Sequence, residues 1–210
     1  MKSGASDTPN HRVVHSLWRA FQECYQGATG VPREVRVMVR RLGQAEHKPL
    51  CGDRPPRKLP ATTYLNSAIA ACRIEFPTLS SRISEAAATL RWSYGYQSLP
   101  DSLARCYAFS LLVSPEGPVC HPRIRAGLVL LGPRCSYPLH RHPGTAEVYL
   151  GLAGSVRQND SEVIEPARLL YNARGRPHRL ESGTEPALLA YIWQGDAEAI
   201  HNPVFEFLEE

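Results

Sequence analysis

Tyr137-Pro-Leu-His140-Arg-His142-Pro-Gly-Thr-Ala-Glu147-Val-Tyr149-Leu-Gly151 decides how the rest of this chain is read. In an extended strand alternate side chains share a face, so His140 and His142 point the same way and Arg141 points the other. Pro143 and Gly144 allow a turn. Beyond it Glu147, Tyr149 and Gly151 fall on one face, and Val148, Leu150 and Leu152 on the other. If the aliphatic face packs against a second layer, two imidazoles, a carboxylate and a phenol converge on the inside. Two nitrogens and one carboxylate suit a divalent transition metal with positions left open for substrate. A later strand can add a third imidazole, and His178 in Gly175-Arg-Pro-His178 is the candidate.

Outward from this stretch the pattern stays β-like. The runs 103–113, 124–131, 147–152, 155–158, 167–171 and 188–193 are short, β-prone and separated by Gly, Pro or Asn-Asp, which suggests a sandwich or barrel. On 188–193, Tyr191 and Trp193 alternate onto one face. Before about residue 100 the period changes. Val14, Leu17, Trp18, Phe21, Cys24 and Tyr25 recur at helical spacing up to a stop at Gly27, and Pro32 can open a second helix with Val35, Met38, Val39 and Leu42 on its inner face. The proline-bearing stretch 47–60 reads as a loop. Tyr64 to Cys72 and Ile83 to Leu90 read as two further helices broken by Pro77. The expected organisation is a helical region over 1–100 and a β-barrel over 101–210, mainly β, with the helices on the outside of the barrel or capping one end.

With 210 residues the chain can bury a full core unaided. Hydrophobic residues at 43% and charged residues at 21% exclude a disordered or collagen-like chain. A net charge of +4 is too mild to imply nucleic acid, and Arg33, Arg36, Arg40 and Arg41 read as a solvated helix face. No apolar run approaches the ~20 residues of a membrane span, and the first twenty residues lack an apolar signal core. The six cysteines never fall as C-x-x-C, so they are expected as reduced thiols in a cytoplasmic protein. The implied partner is a small-molecule substrate, with no nucleic acid and no membrane; a homodimer is compatible with the sequence.

His140-x-His142, four residues, Glu147, six residues, Gly154 and a distal His178 resemble the two metal-binding motifs of the cupin superfamily over roughly 105–205. Within cupins the segment is similar to the dimethylsulfoniopropionate (DMSP) lyases: helices precede the barrel, Tyr149 follows the glutamate by two, Tyr137 precedes the second histidine by five, and Trp193 stands on the last barrel strand. The resemblance implies a cupin double-stranded β-helix, or jelly-roll, barrel with an N-terminal helical region. It also implies β-elimination of DMSP to dimethyl sulfide and acrylate. One divalent metal (zinc, iron(II) or manganese) on His140, His142, Glu147 and His178 would hold the substrate carboxylate as a Lewis acid. Tyr149 would be the general base, and Tyr137 would orient substrate or share the proton. Aromatic faces suit a sulfonium, so Trp193 and Tyr191 are expected to bind it, with Trp92, Tyr94 and Tyr96 at the pocket mouth. A cupin dioxygenase and a non-catalytic ligand-binding cupin are the alternatives. The tyrosine pair favours the lyase, because an oxygenase needs no phenolate base.

Overall fold

A computed structural model of the chain describes residues 9–26, 32–44, 55–96 and 99–208. The elements are α1 (Pro9–Gln26), α2 (Arg33–Gly43), a 3-10 turn (Pro60–Tyr64), α3 (Leu65–Cys72), α4 (Pro77–Ala86), β1 (Trp92–Ser93), α5 (Asp101–Cys106), β2 (Tyr107–Ser114), β3 (Val119–Cys120), β4 (Ile124–Leu131), β5 (Ser136–Arg141), β6 (Thr145–Ala153), β7 (Val156–Gln158), β8 (Glu162–Ile164), β9 (Leu169–Asn172), β10 (His178–Ser182), β11 (Ala187–Gly195), α6 (Ala197–His201) and β12 (Glu206–Phe207). Gly27, Cys51 and most of the expected loop at 47–60 lie outside the described residues.

The strands form two sheets. The larger runs β1-β2-β4-β11-β6-β9, with β3 added to β2, and the smaller runs β12-β5-β10-β7-β8. They face each other as a jelly roll that does not close into one hydrogen-bonded ring. Alternation along the long strands gives the large sheet two apolar faces. Its outer face, including Leu128, Leu130, Val148, Leu150 and Ile192, joins one core with the helices. Its inner face, including Val129, Leu189, Tyr149 and Tyr191, packs on Tyr137, Val156, Ile164 and Leu180 of the small sheet. The helices therefore lie on the outside of the barrel. α2 and α3 contact β11, α2 also meets β4 and α3 meets β6, and α1 rests on α2 and α4. In α2, Val35, Met38 and Leu42 are buried at spacings of three and four, while Arg33, Arg36 and Arg40 are exposed, as a solvated face requires.

Two glycines of the quoted region answer to close backbone approaches. A Cβ on Gly151 would stand 2.1 Å from the Glu165 carbonyl oxygen, where the chain entering β9 crosses the inner face of β6. Gly154 turns out of β6 at φ +67°, a left-handed conformation that a side chain disfavours.

Three local expectations change. Residues 103–106 belong to α5 rather than to a strand, because Pro100 and Asp101 open a helix and the strand period begins only at Tyr107. Cys106 and Cys135 form a disulfide, with Cα atoms 5.6 Å apart, instead of two thiols. They sit next to the starts of β2 and β5, a juxtaposition made by the facing sheets and invisible in a separation of 29 residues. Cys24, Cys72 and Cys120 are thiols. Of the aromatic group, Trp92 is buried under the helices and the Tyr94 hydroxyl donates to the Ala104 carbonyl, which leaves Tyr96 beside the inner chamber. No helix among the described residues is long and apolar enough to cross a membrane.

Candidate active site

β5, β6, β10 and β11 bring all eight residues named from the sequence to the space between the sheets, each less than a tenth exposed. His140 lies near the end of β5 and His142 just beyond it. His178 opens β10 and is the register partner of His140. The ring centroids of His140 and His178 are 4.2 Å apart, those of His140 and His142 5.0 Å. One nitrogen from each of the three imidazoles lies within 4.8 Å of the others. Across the gap, Glu147 Oε2 stands 3.1 Å from His178 Nε2 and 3.8 Å from His142 Nε2.

The donor set fits a divalent transition metal. His140 Nδ1 donates to the Pro138 carbonyl at 2.8 Å and His178 Nδ1 to the Arg176 carbonyl at 3.0 Å. A carbonyl can only accept, so both protons sit on Nδ1 and both Nε2 lone pairs point inward. His140 Nε2, His142 Nε2, His178 Nε2 and Glu147 Oε2 are buried without a hydrogen-bond partner, which is costly unless a cation or water meets them. Burial, reinforced by the neighbouring imidazoles, holds His140 well below the ordinary histidine range. Burial likewise holds His142 down to about 4, against the pull of Glu147. For Glu147 burial pushes upward, yet His178, His142 and Trp193 together outweigh it and hold the carboxyl down to about 2. Burial pulls His178 down as well, but Glu147 outweighs it and raises it. The neutral imidazoles of His140 and His142 and the fixed carboxylate are the protonation states a metal requires.

The remaining side chains form walls around this cluster. Trp193 is the cross-strand partner of Glu147, and its Nε1 donates to Glu147 Oε1. Tyr149 is the partner of Tyr191 on the same two strands. Burial first, then the Glu147 carboxylate, pushes the Tyr149 hydroxyl well above the ordinary phenol range. Tyr137 stacks on His140 at 4.2 Å and leans on Tyr107 at 4.6 Å, and its hydroxyl is hydrogen-bonded to that of Tyr96. His142, Glu147, Tyr149, Tyr137 and Trp193 line an inner chamber of about 20 Å³. Tyr191 lines it too, and Tyr107, Phe109, Val129 and Phe205, which were not singled out in the sequence, complete it. The alternation Tyr107, Phe109, Leu111 along β2 carries a signal for the first two; nothing local marks Phe205, which reaches the chamber from the segment after α6.

Against known proteins, residues 33–189 match the family model described as dimethylsulfoniopropionate lyase. A Cereibacter sphaeroides protein carrying the name dimethylsulfoniopropionate lyase DddL is 36% identical over 195 residues, covering 89% of this chain and 84% of the relative. The fold is shared with a chain from the crystal structures of the DMSP lyases RdDddP and RnDddQII, at TM-score 0.75 and 18% identity over 95% of this chain and all of that one. It is shared too with the DMSP lyase DddQ from Ruegeria pomeroyi DSS-3, at TM-score 0.60 and 21% identity over 90% and 96%. The architecture is thus the cupin barrel preceded by helices, and the chain belongs to the dimethylsulfoniopropionate lyase family.

Proposed function

We propose that the chain cleaves DMSP by β-elimination to dimethyl sulfide and acrylate, with one divalent metal on His140, His142, His178 and Glu147 and with Tyr149 as general base. The observation that carries the reading is the sealed cluster of three inward-facing imidazoles and a carboxylate with a phenol beside them. Zinc, iron(II) and manganese all accept such nitrogen and oxygen donors. Bound there, the ion would supply positive charge that draws electron density from the substrate carboxylate and favours the phenolate of a neighbouring tyrosine.

The chain's own residues do the rest. Tyr149 oxygen takes the proton from the carbon α to the carboxylate. The C–H electron pair becomes the carbon–carbon π bond as the β-carbon–sulfur bond breaks, and sulfur leaves with that pair as neutral dimethyl sulfide. Acrylate remains and the proton rests on Tyr149. Tyr137, fixed by His140, Tyr107 and Tyr96, orients the substrate against the base. Trp193 and Tyr191 offer aromatic faces to the sulfonium, which cannot accept a hydrogen bond. The inner chamber is small and walled by aromatic rings, so bulk water is kept from the carbanion-like transition state.

Headspace measurement of dimethyl sulfide above protein loaded in turn with zinc, iron(II) and manganese and given DMSP tests the reading. Gas from loaded protein and none after chelation is expected. No gas with any of the three metals sinks it, and substrate-dependent oxygen uptake would then be sought.

A further inference from the structure

The inner chamber and a larger outer pocket of about 410 Å³ are the two sides of one wall, because Phe109, Tyr191, Trp193 and Phe205 line both. The inner chamber is far smaller than the outer pocket, which has the ordinary size of a small-molecule site. Arg125 stands in that pocket. It is the register partner of Trp193 on β4, so its side chain shares the inner face with Trp193, one strand beyond the wall and two from Glu147. Only 11% of the side chain is exposed. Its Nε donates to the Ile200 carbonyl at 2.6 Å, and its Nη2 to the Glu116 carboxylate at 3.1 and 3.2 Å and to the His201 carbonyl at 3.3 Å. Nη1 donates to nothing among the described residues. A guanidinium edge left over at this depth, beside aromatic rings that line the same pocket, offers a partner to each end of a zwitterion: planar N–H groups for a carboxylate and aromatic faces for a methylated onium group.

We propose that the outer pocket is a first-binding site for a methylated onium carboxylate, with Arg125 taking the carboxylate and the Trp193–Tyr191–Phe205 wall taking the onium group before transfer inward. This site rests on the DMSP reading given above. Glu116 competes with the incoming carboxylate for the same guanidinium, so it sets how tightly the pocket holds. The wall must swing for transfer, and Phe205 is its most loosely tethered part. It sits on the short stretch between α6 and β12, and β12 is held to β5 by a two-residue pairing.

The two charged residues make predictions of opposite sign. Calorimetric titration of the metal-loaded full chain would use 3-(trimethylammonio)propanoate, the quaternary ammonium isostere of DMSP. Arg125→Gln is expected to weaken binding roughly tenfold, the loss of a charge-assisted hydrogen bond. Glu116→Gln is expected to tighten it severalfold, because the competing negative charge is taken from the guanidinium while the bonds to Ile200 and His201 stay. Should Arg125→Gln melt early for want of its bonds to Ile200 and His201, the Glu116→Gln arm decides alone. Unchanged or weakened binding in Glu116→Gln overturns the site. Dimethyl sulfide production, assayed on the same proteins, separates the two ideas. Gas with that negative binding result leaves the lyase reading standing and removes only the outer site. Opposite shifts without gas keep the pocket as a binding site and remove the lyase reading.

Discussion

At the scale of single residues, the hydroxyl of Tyr149 and the indole N–H of Trp193 can be tested apart from the fold that holds them. Tyr149→Phe deletes one oxygen and keeps the ring that packs in the inner core. Dimethyl sulfide formation is expected to fall by roughly 10²–10⁴-fold, the usual contribution of a general base, with metal content equal to wild type. Turnover at the wild-type rate would remove Tyr149 from the mechanism and leave Tyr137 as the phenol to test. Trp193 has two jobs that separate by substitution. Its N–H donates to Glu147 Oε1 and its ring packs 4.4 Å from His142 and 5.1 Å from Phe205. Trp193→Phe keeps an aromatic face but takes a donor from a buried carboxylate, so metal affinity in a chelator competition is expected to drop about tenfold or more. Trp193→Ala should in addition raise KM for the cationic substrate. Unaltered metal affinity in Trp193→Phe would confine the residue to the wall.

At the scale of elements, β6 carries the site on one face and the fold on the other, and Gly151 is where the two demands meet. Its inner-face position lies beneath the Glu165–Pro166 backbone, with 2.1 Å between an added Cβ and the Glu165 oxygen. Gly151→Ala must push a crossing chain off the sheet. A loss of about 2 kcal/mol or more in urea unfolding is expected, from overpacking in a region with no flexible side chain to yield. A loss below about 0.5 kcal/mol would show that the β8–β9 connection moves freely. β6 also shows what the sequence could disclose. Its period-two pattern gave both faces correctly, because burial on both sides of a strand leaves polar chemistry in one register and aliphatic residues in the other. β11 was legible for the same reason, and so were the buried stripes of α1 and α2. The pairing of His178 with His140 could be named but not placed, since register across β5 and β10 follows from the whole jelly roll. Arg125 and Phe205 were not visible at all. Their roles depend on β4 lying beside β11 and on the chain folding back after α6, and neither leaves a mark in local periodicity. The Cys106–Cys135 bond was missed on the same grounds.

At the scale of the whole molecule, helices cover one face of the large sheet and the small sheet covers the other, so the imidazole cluster is buried and two of its members, His140 and His142, are held uncharged. That arrangement ties stability to pH when no metal is bound. The unfolded chain binds a proton on His142 near 6.5, whereas burial in the folded chain delays protonation to about 4. Between those values the unfolded state holds more protons, so stability falls as pH falls, by about 3 kcal/mol for His142 across the full window. His140 is depressed by burial in the same direction and adds to the loss. His178 has the opposite sign. Burial alone would lower it, but Glu147 raises it, so its contribution is present below 6.5 and is lost as pH rises through its folded value. Glu147 works at a lower range. Its pairing contributes fully above about 4.5 and is lost only as pH falls towards 2, so it does not offset the histidines in the window that matters. Two depressed imidazoles against one raised imidazole leave a net acid lability. Chelator-treated protein should therefore melt at progressively lower temperature from pH 7 through 5.5 to 4.5, and His142→Gln should flatten part of that slope by removing one of the groups that charges on unfolding. A melting temperature that stays level or rises over the window would mean that the folded chain accommodates a charged imidazole in the chamber, and the cluster would then not be held in the neutral state that a metal requires.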